Sequence, residues 1–72
     1  MDYSSLLSND QKRSILEQRI AQFASEAYQH TLNKTVAEST GDTAGVESSN
    51  TALATYDNAI TVHQEELAKL GE

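Results

Sequence analysis

Ser39 to Gly45, STGDTAG, holds two of the three glycines in a chain of 72 residues that has no proline. Proline is the strongest helix breaker and glycine the next, so the chain is punctuated here and almost nowhere else. Gly41 suits the left-handed position just past a helix C-terminus, and Asp42 or Thr43 suits the N-cap that follows, where a side-chain oxygen accepts an orphan backbone N–H. The reading is two helices joined by a tight turn. A turn this short sets them antiparallel.

Downstream of the turn, Val46, Ser49, Leu53, Tyr56, Ile60, His63, Leu67 and Leu70 alternate spacings of three and four without a slip. That is a heptad seam of the kind that packs like a coiled coil. Upstream, Ser8 with Gln11 fits a capping box, and Asp10 suits the positive end of the helix dipole. Leu16, Ile20, Phe23, Ala24, Ala27, Tyr28 and Thr31 then share a broad stripe drifting toward Leu32, Thr35 and Val36. An arc that wide faces two neighbours rather than one.

The expected organisation is an N-terminal tail over 1–7, helix one over 8–40, a turn over 41–43, helix two over 44–70 and a C-terminal end over 71–72. The fold class is all-α, an antiparallel two-helix hairpin. Residues equidistant from Gly41 should meet: Val46 near Val36, Leu53 near Tyr28 or Gln29, Ile60 near Ala21 or Gln22, and Leu67 near Ile15 or Leu16. The central layers hold Ala21, Ala24, Ala52 and Ala59, which bury little area against the entropy of ordering two helices. Thr51, Thr55, Thr61, Asn50 and Asn58 add weak helix propensity. A hairpin so thinly built is expected to join a larger helical bundle or dock on a partner. Tyr3, Leu6, Phe23, Ala27, Tyr28 and Thr31 are the candidate partner-binding residues. The hairpin seam is assigned to Val46, Leu53, Tyr56, Ile60, His63, Leu67 and Leu70.

Composition narrows the function classes. Five Lys plus Arg against eleven Asp plus Glu give a formal charge of −6, so a polyanion meets repulsion before contact and nucleic acid is not an expected partner. Lys12, Arg13 and Arg19 gather near the start, but three charges on the first turns form a solvated face rather than a recognition surface. With no cysteine there is no disulfide and no thiolate metal site. No run approaches the ~20 apolar residues of a membrane span, and MDYSSLLSND lacks the basic and apolar regions of a secretory signal. The expectation is therefore a protein without a membrane partner, cytoplasmic as synthesised. The sequon Asn33-Lys34-Thr35 carries no weight without such a signal.

His63 with Glu65 and Glu66 is the one cluster that suggests chemistry. Helical spacing puts His63 on the seam with Ala59, Ile60 and Leu67 and turns both glutamates away, so no metal triad forms. No HExxH is present, and Glu26 to His30 is one residue too long for the Glu-x-x-His motif of di-iron bundles. His63 is expected to bond a facing Gln or carboxylate, while Glu26 with His30 and Glu65 with Lys69 read as surface pairs. Tyr28 and Tyr56 are read as core packing in preference to outward anchors. STGDTAG lacks the lysine and preceding strand of a phosphate loop. Hydroxyls abound, but two helices offer no cleft to exclude water. No enzyme, cofactor or metal is expected. A metal-binding bundle would require His30 or His63 to meet carboxylates across an oligomer axis.

LLSNDQKRSILEQRIAQFASEAYQH, Leu6 to His30, and the closing VHQEELAKL together resemble small helical proteins encoded among the genes of tailed bacteriophages of actinobacteria. The resemblance spans most of the chain and includes no motif tied to an activity. It implies a virion component or assembly factor, and it assigns no functional residue. The expected role is a structural or interaction hairpin that binds itself or a larger protein. The alternative is a small acidic regulator that occupies a basic groove on an enzyme through Glu47, Asp57, Glu65 and Glu66.

Overall fold

The computed structural model describes residues 2–71. They form a single 3-10 turn (Tyr3–Leu6), a long helix α1 (Asn9–Thr40) and a second helix α2 (Thr43–Leu70), with no strand among them. Met1 of the expected tail and Glu72 of the expected C-terminal end lie outside the described residues.

Local chemistry accounts for each boundary. Ser8 caps α1 reciprocally with Gln11: the Gln11 amide donates to Ser8 Oγ at 3.1 Å and the Ser8 amide to Gln11 Oε1 at 2.8 Å. At the other end Gly41 adopts φ +74°, in the left-handed region, and the next amide, Asp42, donates back to the Ala37 carbonyl at 2.8 Å. Those bonds absorb carbonyls that the helix end would otherwise leave bare. Asp42 then caps α2, its carboxylate accepting from the Gly45 amide at 2.9 Å. Between the two candidates for that cap, Asp42 is the one used and Thr43 is the first residue of α2. Gly45 is glycine because the helices converge there: a Cβ at this position would lie 2.5 Å from Asp42 Oδ2 and 3.0 Å from the Ala37 methyl.

The two helices pack along one another in opposite directions. Arg19 reaches His63, Phe23 touches Tyr56 and His63, and Ala37 lies beside Gly45; Arg19 and His63 are equally far from Gly41, as the length of the turn requires. The result is a rod of 49 × 21 × 18 Å, its length set by the 32 residues of α1 at 1.5 Å each. Its radius of gyration of 16.0 Å exceeds the roughly 11 Å of a compact 72-residue domain. Among the described residues only Ala37 and Ser49 are buried, and no large side chain is fully enclosed.

Val46, Ser49, Leu53, Tyr56, Ile60, His63, Leu67 and Leu70 are all half-buried or buried. On α1 the covered stripe runs Leu16, Ile20, Phe23, Ala27, His30, Lys34, Ala37. This differs from the single broad arc expected. Ala24, Tyr28, Thr31, Leu32, Thr35 and Val36 are exposed, because the covered stripe continues through His30 and Lys34, polar residues that an apolar pattern passes over. The apolar residues of α1 thus divide between two faces and leave the helix with almost no one-sided amphipathicity. No helix among the described residues is long and apolar enough to cross a membrane.

Candidate functional site

The middle of the hairpin is a polar and aromatic ladder. His63 Nδ1 lies 2.6 Å from the Ala59 carbonyl, an atom that only accepts, so Nδ1 carries the proton and Nε2 is left as an acceptor. Arg19 Nε, always protonated, donates to that Nε2 at 2.9 Å. The facing group is thus an arginine, not the Gln or carboxylate expected, since Arg19 is the residue that the turn places opposite. Its guanidinium also lies 5.3 Å over the Phe23 ring, and Phe23 meets the His63 ring edge-on at 5.1 Å. A cation above a ring face and an edge-to-face pair are both favourable dispositions of the ring quadrupole.

One helical turn closer to Gly41, Tyr56 packs against Phe23 at 6.2 Å and His30 at 5.5 Å. Glu26 completes this cluster. Hydrogen bonding with its carboxylate, then partial burial, then its charge, all hold the Tyr56 phenol above its ordinary pKa. Neither Glu26 nor His30 is simply the surface pair expected, because Tyr56 sits opposite both. The two tyrosines also part company: Tyr56 enters the seam, whereas Tyr28 is 62% exposed on the far side of α1. Phe23, expected among the partner-binding residues, spends its ring on Tyr56, His63 and Arg19 instead.

At the open end of the hairpin the N-terminal 3-10 turn folds back over the helices. Asp2 organises it, accepting from the Ser4 amide at 3.0 Å and the Ser4 hydroxyl at 2.8 Å. Those Ser4 bonds lower the Asp2 pKa, with smaller help from Ser5 and Lys12. The turn brings half-buried Leu7, rather than Tyr3 or Leu6, against Ile15, Leu16 and Leu70, and together they line an apolar groove of about 210 Å3 edged by Lys12 and Glu66. Tyr3 and Leu6 remain exposed. Lys69 makes an ion pair with Glu66 at 3.0 Å, on a surface where such pairs are worth a few tenths of a kcal/mol.

Thr31 is exposed and its hydroxyl donates to the Ala27 carbonyl at 3.1 Å; Thr35, Thr51 and Thr55 each bond the carbonyl four residues back in the same way. Ala27 is half-buried at the edge of the seam. No group of three or more His, Asp or Glu side chains that could hold a metal occurs among the described residues. Arg19 and Glu26 are the functional side chains that the sequence pattern missed. The equidistance rule pairs residue 19 with 63 and residue 26 with 56, so the turn was signal enough for both.

No protein-family model, curated protein or solved structure matches this chain.

Proposed function

We propose that the protein is a non-enzymatic structural or interaction element, a helical hairpin that oligomerises or docks on a larger protein. The observation that carries this reading is the surface left over. A compact body of 7.9 kDa exposes about 4,400 Å2, whereas this chain exposes 5222 Å2. The excess, about 800 Å2, is close to what one partner contributes to a standard-size interface. Tyr28, Leu32 and Val36 are exposed within that surface. A tailed phage particle, or its assembly in the cytoplasm, is the setting that fits the resemblance.

Light scattering with circular dichroism across a dilution series tests the reading. Helicity and unfolding temperature should rise with concentration, as mass action requires of an assembly. A monomer that keeps full helicity at nanomolar concentration refutes self-association, and failure to bind any larger protein would refute docking.

The acidic-regulator reading draws on a separate observation: Glu47, Asp57, Glu65 and Glu66 are all exposed on α2. Ionic strength discriminates between them. Affinity for a partner that collapses between low and high salt favours the carboxylates, and affinity that salt leaves unchanged favours apolar docking.

A further inference from the structure

We infer that the outer face of α1 binds the same face of α1 in a second copy, antiparallel, to make a four-helix assembly with the two α1 helices at its centre. The inference rests on the assembly reading above and names its occupant. Ala21, Ser25, Tyr28, Leu32 and Val36 follow one another at spacings of three and four, so they form one stripe about 22 Å long. All are exposed, Tyr28 and Val36 at 62% and Leu32 at 47%.

Three features of this stripe select a second copy. The first is charge. The chain carries −6, so two copies repel over most of their surface, and Glu47 and Glu65 stand on the exposed face of α2. The α1 stripe has no charged residue, which makes it a face that two copies can join without burying like charges. The second is shape. A two-fold axis that sets Tyr28 over Gln29 of the second copy brings Ser25 opposite Leu32 and Ala21 opposite Val36. Leu32 and Val36 then each meet a small residue while Tyr28 lies across Gln29 beside the axis, an alternation of large and small that lets facing helices interdigitate, and the isologous symmetry repeats each pairing twice. A shift of about one turn in one direction sets Leu32 against Tyr28, and a shift of one turn in the other carries Val36 opposite the charged Glu17. The third is area: the rod as a whole exposes about 800 Å2 more than a compact body of its mass, room for one half of a standard interface with this stripe at its centre.

The chain has no native cysteine, so paired thiols report the register directly. Ser25→Cys protein mixed with Leu32→Cys protein under mild oxidation should give the mixed disulfide in preference to either homodisulfide, because Cα atoms must come within about 7 Å to bridge. Ala21→Cys with Val36→Cys should behave alike. Leu32→Glu, at a site exposed in the hairpin, should leave helicity unchanged in dilute solution and weaken dimerisation by about 100-fold or more. Adding Ser25→Lys to Leu32→Glu should restore most of the loss by facing opposite charges across the axis.

Homodisulfides in preference to the mixed species overturn the antiparallel register. A protein that light scattering shows to be oligomeric, yet forms none of these disulfides and ignores Leu32→Glu, overturns this face and leaves the assembly reading standing. A chain that stays monomeric at high micromolar concentration overturns the second copy as occupant, and binding of a different protein that Leu32→Glu abolishes would then show what covers the face.

Discussion

Replacing Gly45 with alanine puts a methyl group where the turn is tightest. The new Cβ would lie 2.5 Å from Asp42 Oδ2, 2.9 Å from Asp42 Cγ and 3.0 Å from Ala37 Cβ. Two effects oppose. Alanine is the better helix former, by up to about 1 kcal/mol in a helix interior. Against that, the Asp42 carboxylate must swing away and give up its bond to the residue 45 amide, a cap worth about 1 kcal/mol. Ala37, one of two buried residues among those described, must also yield, and overpacking at such a site costs about 1–3 kcal/mol. The net expectation is a loss of about 1–3 kcal/mol. Asp42→Ala alone should cost about 1 kcal/mol, and in that background the carboxylate clash is gone and the cap already lost. Gly45→Ala should therefore cost about 1 kcal/mol less there than in the parent, a coupling that a double-mutant cycle reads directly. Urea unfolding followed by circular dichroism, at one fixed protein concentration, supplies the four stabilities. Should Gly45→Ala stabilise the parent by about 1 kcal/mol, propensity outweighs the close approach and the account of the turn is wrong.

Other consequences follow from the same contacts. Gly41→Ala meets no atom within 4 Å, so its cost is the left-handed backbone alone, about 1–2 kcal/mol, and Gly41→Asn should cost less; equal losses for the two would contradict this. Arg19→Ala removes one hydrogen bond and one cation over Phe23 and should cost about 1–2 kcal/mol, with most of that loss absent when His63 is already alanine. In a tyrosine titration followed by phenolate absorbance, Tyr56 should ionise above the ordinary tyrosine value, and Glu26→Gln should bring it back toward that value. The sign follows from the raised folded-state pKa: what this phenol contributes to stability is fully present below the ordinary tyrosine value of 10.0 and is lost as pH rises through the folded one. If stability instead increases through that range, Glu26 does not hold the Tyr56 proton.

Much of the architecture was legible because it is written in short-range chemistry. Ser8 with Gln11 and Gly41 with Asp42 are caps whose partners lie within five residues, so spacing alone reveals them. The seam of α2 was equally plain, since its apolar residues keep strict step and α2 has one covered face. α1 hid its geometry because it has two. Its apolar residues serve both, and the stripe that meets α2 includes His30 and Lys34, which look like solvent-facing residues until α2 is placed beside them. Equidistance from Gly41 places Arg19 opposite His63 and Glu26 opposite Tyr56, so their proximity was legible; the bonds themselves were not, because hydrogen bonds between helices depend on rotamers.

The division of labour between the faces explains why a rod with so little interior holds one register. A seam of alanine and leucine alone is nearly as content when slid by one turn. Arg19 with His63 opposes that, because sliding leaves the ring nitrogen without its donor, and polar pairs in a helix interface set register at some cost in stability. The apolar side chains released from the seam, Tyr28, Leu32 and Val36, belong to α1 alone. Their mutual geometry therefore depends only on α1 being helical and not on how α2 sits against it. Arg19→Ala and Leu32→Glu should accordingly separate two properties of one protein: the first lowers unfolding stability while leaving cross-linking between Ser25→Cys and Leu32→Cys copies intact, and the second abolishes association while leaving the Tyr56 titration where it was. Loss of both properties in either variant would mean that seam and outer face are one cooperative unit, and the independence argued from their placement on α1 would fail.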